Sequence, residues 1–229
     1  MSETTATSVS TESKQQDKRP DFTGTWLAVI PLNGLSEHIQ HIQNTYIPTD
    51  ALIRDNVIKR NTERSEEEGY TRADSLETDT HITVHFGIRE PTPDVIEQLQ
   101  KFGPFVVTVQ DVGRFTNPPK MIENKEHSWD VLWCDVVSDK ESALFKLHTL
   151  IGTAYDKIWH HPGGYKPHVT IGYTKFGRAD GIIESIEENS DHRKFGPFEI
   201  LVDTIIFKKY QDKSPNSSRE ISLCPNFMC

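Results

Sequence analysis

The sequence predicts an α+β fold with mainly antiparallel sheets. Apolar, β-branched runs of strand length recur along the chain. Segments with apolar residues three and four apart separate them. The order is strand, helix, strand, helix, strands, helix, strand, helix, strands, which departs from strict βαβ alternation. The 229 residues suit one domain with a tail better than two large domains. With 35% hydrophobic and 26% charged residues, the chain can bury a core.

Residues 1–20, MSETTATSVSTESKQQDKRP, carry almost nothing apolar and are expected to form a disordered tail. Residues 21–229 are expected to form a single domain. It opens with TGTWLAVIP (23–31), an apolar strand ending in proline. LSEHIQHIQNTYI follows with helical spacing of Leu35, Ile39, Ile42 and Tyr46, and Ser36 is the expected N-cap. Residues 59–80 are highly charged and read as an exposed loop, either a solvated insertion or a lid. HITVHFGI (81–88) reads as a buried strand. TPDVIEQLQKF (92–102) reads as a helix with Thr92 as N-cap and Pro93 at its first position. Strands are expected over 104–115 and 128–138, a helix over 141–155, a strand over 167–176 and a short helix over 181–190. FEILVDTIIFKKY (198–210) and REISLC (219–224) are expected to close the fold as a strand pair.

Charge and motifs narrow the function. Twenty-five Lys and Arg against 34 Asp and Glu leave a net charge of -9. That disfavours long nucleic acid, whose binding depends on counterion release by basic residues. A small nucleotide in a local basic pocket remains compatible. Three scattered cysteines suit a reducing compartment and neither a disulfide scaffold nor a zinc cage. No long apolar run and no apolar leader are visible, so the expectation is a cytoplasmic protein without membrane partners. No G-x-G-x-x-G, P-loop or G-x-S-x-G run is present, which leaves dinucleotide cofactors, P-loop ATPases and nucleophile elbows without support.

The informative feature is a duplicated tetrapeptide. His81-Ile82-Thr83-Val84 and His168-Val169-Thr170-Ile171 share the pattern His, β-branched apolar, Thr, β-branched apolar. On a strand, residues i and i+2 share a face. His81 and Thr83 therefore point one way and Ile82 and Val84 the other, as do their counterparts in the second copy. If the two strands lie side by side, two imidazoles and two hydroxyls converge on one patch. Such a patch suits phosphoryl chemistry without a metal. One neutral His takes a proton from an attacking hydroxyl or water, and the other, protonated, gives one to the leaving oxygen. The Thr hydroxyls can donate hydrogen bonds to non-bridging phosphate oxygens. Either histidine fits either role.

The paired H-x-T-x strands resemble the 2H phosphoesterase superfamily. HITVHFGI, SWDVLWCDVVSDKESALFKLHTLIG, YKPHVTIGYTKFG and IIFKKYQDKSPNSSREISL look like its branch of phage anti-defence nucleases, which degrade cyclic di- and trinucleotide immune signals. The resemblance covers about residues 23–224. It implies a bilobal, pseudo-two-fold fold with a central cleft, antiparallel sheets around it and helices outside. It implies metal-independent phosphodiester cleavage with His81, Thr83, His168 and Thr170 as catalytic residues and no cofactor. Relatives often carry an apolar residue and Tyr where this chain has His85 and Phe86.

Other residues are candidates for binding substrate. His85 is expected on the face of His81 and Thr83, about 13 Å from His81 along the strand, too far to share a zinc ion. Trp26, Trp159 and Tyr165 are candidate stacking platforms, and His160 and His161 lie in a candidate base-binding loop. Tyr173 lies on the second motif strand. Lys157, Lys166, Lys175 and Arg178 concentrate positive charge around that motif and can steer an anionic cyclic nucleotide. Phe86, Trp129 and Trp133 are assigned to the core. The leading function is cleavage of cyclic oligonucleotide messengers. The same site also suits a 2′,3′-cyclic phosphate, RNA ends or 2′,5′-linked oligoadenylate. A sponge that binds a cyclic nucleotide without turnover would not need the four His and Thr residues.

Overall fold

The computed structural model describes residues 25–53, 75–122, 125–137, 142–154, 164–189, 196–210 and 217–223. Eight strands form one antiparallel sheet: β1 (Trp26–Pro31), β2 (His81–Ile88), β3 (Phe105–Ile122), β4 (Lys125–Val137), β5 (His168–Lys175), β6 (Phe198–Val202), β7 (Thr204–Lys209) and β8 (Ser218–Ser222). Their order across the sheet is β6-β3-β4-β5-β2-β1-β7-β8. The two motif strands are the central neighbours, and each half contributes four strands. Among the described residues, four α-helices accompany the sheet: α1 (Ser36–Tyr46), α2 (Pro93–Gln100), α3 (Ala143–Thr153) and α4 (Ala179–Asn189). The expected α+β class and element order hold.

Local chemistry explains most boundaries. The Thr92 side chain accepts the Val95 N–H with Pro93 inside the first turn, which starts α2 as the sequence reading expected. Ser142 caps α3 in the same way. Ser36 does not cap α1. A short 3-10 turn over Asn33–Leu35 precedes it, so Ser36 already lies within the helical run and Leu35 holds the cap position.

A larger correction concerns 198–210. This is two strands, not one. The chain breaks at Asp203, whose carbonyl accepts the Leu223 N–H. β6 pairs with β3 at one edge, whereas β7 pairs with β1 in the other half. Continuous hydrophobicity hides this break, because both strands bury one side against the same core.

The central seam between β2 and β5 carries a single ladder pair, Ile82 opposite Val169. What holds the halves together is an exchange of helices. α1, from the strand–helix–strand unit that ends in β2, packs on β5. α3, from the unit that ends in β5, packs on β2. The core between sheet and helices includes Ile39, Ile42, Leu144, Leu147, Ile151, Ile82 and Val169. Among the described residues, no helix is long and apolar enough to cross a membrane.

Candidate active site

The pair Ile82–Val169 fixes the geometry of the four motif residues. In an antiparallel ladder the neighbours of that pair place His81 beside Thr170 and Thr83 beside His168. Ile82 and Val169 are fully buried, so all four motif side chains face the opposite, open side. They form a four-cornered patch. The histidines occupy one diagonal and the threonines the other, with diagonal Cα separations of about 7–8 Å.

Both histidines are held in the same way. His81 Nδ1 lies 2.5 Å from the Asp79 carbonyl oxygen. His168 Nδ1 lies 2.8 Å from the Lys166 carbonyl oxygen. A carbonyl can only accept, so Nδ1 carries the proton in each ring. That leaves Nε2 of the neutral ring as a base, and Nε2–H of the protonated ring as an acid. Asp79 also forms an ion pair with Lys208 across the first half.

His168 sits below the ordinary imidazole value, because burial disfavours its charged form. The positive charges of His81 and Lys166 push it further down. The Lys166 carbonyl hydrogen bond and Asp135 oppose the shift. Asp135 is the cross-strand partner of His168 on β4.

A bulge follows each H-x-T. The β1–β2 register shifts between Ala28 and Val29, which leaves Val84 as the extra residue. The β4–β5 register shifts between Leu132 and Trp133, which leaves Ile171 as the extra residue. Both are buried. Each carbonyl is then taken by a helix from the other half. Gln43 Nε2 on α1 donates to the Ile171 carbonyl oxygen at 2.8 Å, and also to the Glu77 carbonyl oxygen. His148 Nδ1 on α3 lies 2.7 Å from the Val84 carbonyl oxygen. The exchanged helices thus clamp the same point of each motif strand. Gln43 and His148 were missed in the sequence. Their signal was a polar residue on an apolar helix face: Gln43 follows Ile39 by four, and His148 follows Leu144 by four.

The first bulge overturns the placement of His85. The side-chain alternation slips by one at Val84, so His85 turns to the helix side and is 5% exposed. There it stacks on His148 at 4.6 Å, and His148 stacks on Tyr165 at 3.9 Å. Tyr165 is accordingly part of this packed stack and not a platform beside the histidines; burial raises its hydroxyl pKa. Past the bulge Phe86 takes the open face. Its ring meets Tyr210 edge-on at 5.1 Å. Tyr173, its counterpart on β5, also lies on the open face, where burial and then Glu77 and Tyr210 push its hydroxyl up to about 12.

Trp26 pairs with Ile88 and is 6% exposed within the core, so it does not line the patch. Lys175 Nζ donates to the Asp50 carbonyl, and Arg178 pairs with the Asp50 carboxylate. Both stand at the far end of β5, about 20 Å or more along the strand from His168. Trp159, His160, His161 and Lys157 lie outside the described residues, as does most of the 59–80 segment. The described end of that segment is not simply exposed. Leu76 bridges to Gly172 and Ser75 is buried, with its hydroxyl donating to the Ile53 carbonyl. A Cβ at Gly172 would meet Leu76 at 2.9 Å, which is why a glycine stands there.

Trp133, assigned to the core from sequence, is buried, and it is buried on the patch side of β4. It pairs with Thr170 and packs over Gly113, where a Cβ would come within 2.7 Å of the indole. Phe115 stacks on it at 5.0 Å and meets the His168 ring edge-on at 4.9 Å. Lys166 Nζ rests over both rings, 4.2 Å from Trp133 and 5.2 Å from Phe115. The alternation of SWDVLWCDVV carried the signal, since Trp129, Val131, Trp133 and Asp135 share a face opposite the buried Leu132 and Cys134.

A family model described as the 2′-5′ RNA ligase superfamily matches residues 53–214, which includes both H-x-T-x strands. The chain belongs to this superfamily. Family and site together make the protein a phosphodiesterase of the two-histidine kind. Solved structures with a similar trace include one described as a phosphoesterase (14% identity, 87% of this chain and 95% of that one, TM-score 0.43). Another is Escherichia coli LigT complexed with 3′-AMP (13% identity, 87% and 95%, TM-score 0.42). A third is Kluyveromyces marxianus Usb1 (10% identity, 89% and 100%, TM-score 0.45). A comparison with curated protein sequences finds no match.

Proposed function

We propose that this superfamily member cleaves phosphodiesters of small ribonucleotides without a metal, and that its substrates are cyclic oligonucleotide messengers of immune signalling. The observation that carries the chemistry is the four-cornered patch, with its two histidines diagonal and their Nδ1 atoms tied back to carbonyls. A phosphate at the centre would have Nε2 groups on opposite sides and Thr83 and Thr170 beside its non-bridging oxygens.

For a 3′–5′ linkage the neighbouring 2′-hydroxyl is the nucleophile, so attack is effectively unimolecular. His168, held below the ordinary imidazole value by burial, is the neutral base at Nε2. His81 donates its Nε2 proton to the departing 5′-oxygen. The products are a 2′,3′-cyclic phosphate and a free 5′-hydroxyl, and each histidine ends in the other's starting protonation state. The Thr hydroxyls stabilise the charge that builds on the equatorial oxygens. A DNA linkage lacks the nucleophile and should resist.

The choice of cyclic oligonucleotides is supported by the sequence resemblance to anti-defence nucleases and by the net charge of -9, which disfavours long RNA. The family description favours a second reading, in which a 2′,5′-linked oligonucleotide is cleaved. Chromatographic product analysis in excess EDTA separates the two. Its panel holds 3′,3′- and 2′,3′-linked cyclic dinucleotides, cyclic triadenylate, 2′,5′-oligoadenylate and a nucleoside 2′,3′-cyclic phosphate. Turnover of the cyclic oligonucleotides that vanishes in His81→Ala and His168→Ala is expected. Turnover of the 2′,5′-oligomer alone would establish the second reading, and binding without turnover of any member would leave a sponge.

A further inference from the structure

Among the described residues, Lys166 and Lys208 each present an ammonium on the open face, and they are not equivalent. Lys208 is paired with the Asp79 carboxylate. Lys166 is exposed, and among the described residues no carboxylate pairs with it. Its ammonium lies over Trp133 and Phe115. Rings that hold a cation in place without neutralising it leave its charge available to an anion.

Position says which anion. The scissile phosphate must sit at the β2–β5 seam to reach both histidines. Trp133 lies one strand out from β5 and Phe115 two strands out. At about 4.8 Å per strand, with the seam half a spacing beyond β5, an ammonium above these rings stands roughly 7–12 Å from the seam. A lysine there is too distant for hydrogen bonds to the scissile oxygens, and suitably placed for the next phosphate along a chain. The direction is also fixed. Lys166 flanks His168, the base that serves the 2′-hydroxyl, and so stands beside the nucleoside on the 5′ side of the cleaved bond.

We propose that Lys166, held by Trp133 and Phe115, binds the phosphate 5′ to the scissile one, so that preferred substrates carry a second phosphate at that position. This deepens the phosphodiesterase reading and rests on it. Every nucleoside of a cyclic dinucleotide carries such a phosphate, whereas a dinucleoside monophosphate or a mononucleoside cyclic phosphate does not.

The test compares two dinucleotides of equal charge, pApA with its extra phosphate at the 5′ end and ApAp with it at the 3′ end. The ratio of their kcat/KM values is measured in EDTA for the wild type, Lys166→Gln and Lys166→Arg. The same ratio is measured as affinities by calorimetry in the His81→Ala background. The wild type should favour pApA. Lys166→Gln should cut that preference by roughly tenfold or more, chiefly through KM, while Lys166→Arg keeps most of it. Thermal melting of Lys166→Gln should match the wild type. A preference unchanged in Lys166→Gln, whether both substrates slow together or neither does, overturns the assignment. If the wild type turns over neither dinucleotide, the catalytic reading fails, and the affinity ratio still decides the role of Lys166.

Discussion

His81 and His168 have the same residue type, the same kind of Nδ1 acceptor and equivalent places on their strands. Their difference lies in what surrounds His168: Phe115 at its edge, Trp133 beyond, and the charge of Lys166 nearby. With His168 as the proposed base, neutral when it acts, the acid limb of kcat/KM should therefore fall below pH 6.5, the ordinary imidazole value. Asp135→Asn removes a charge that holds this pKa up, so the limb should move to lower pH; a pH–rate profile of the variant checks this. Each threonine should matter as a donor. Thr83→Val and Thr170→Val are expected to lower kcat by about one hundredfold, read by stopped assays at saturating substrate. At this scale the sequence was legible for the four motif positions, because period-two alternation alone puts them on one face. It was not legible at His85 and Phe86. Nothing in HITVHFGI marks Val84 as a bulge, and a single extra residue exchanges the faces of His85 and Phe86 before a second register shift at Gly87 returns Ile88 to the core.

The same bulges give the elements their hold on one another. A carbonyl left out of a ladder needs a donor, and both are supplied from outside the sheet by α1 and α3. Gln43→Leu would take the side-chain donor from the Glu77 carbonyl and leave the Ile171 carbonyl with the Glu77 N–H alone, at a cost of about 1–3 kcal/mol. Chemical denaturation should show that loss, and kcat should fall with it as β5 shifts. Gly113→Ala tests the support of the aromatic cradle. Its Cβ would press on the Trp133 indole, so a loss of about 1–3 kcal/mol and a change in tryptophan fluorescence are expected. Strand and helix boundaries were readable where caps or apolar alternation marked them, as at Thr92 and 81–88. The β6–β7 break was not, because FEILVDTIIFKKY stays apolar across Asp203 while its pairing partner changes from β3 to β1.

Across the whole molecule, two similar halves meet at one β2–β5 ladder pair and at the bridges of Leu52 and Leu76 to β5, and they trade helices. The exchange makes each half dependent on the other for a buried hydrogen bond at its motif strand. Ile82→Ala at the seam should destabilise by about 2–5 kcal/mol and lower protection from hydrogen exchange in both halves together. Duplication was visible in the sequence as two tetrapeptides. The exchange was not, since which sheet half a helix covers depends on packing between segments distant in the chain.

The central claim, that His168 is the base and His81 the acid, is tested most directly by changing the leaving group. A uridine 3′-(4-nitrophenyl phosphate) releases an anion that needs no proton, whereas a dinucleotide releases an alkoxide that does. Single-turnover rates in EDTA should show His81→Ala losing several hundredfold on the dinucleotide and far less on the nitrophenyl ester. His168→Ala should lose heavily on both. The opposite pattern, with the nitrophenyl ester rescuing His168→Ala and not His81→Ala, would contradict the account.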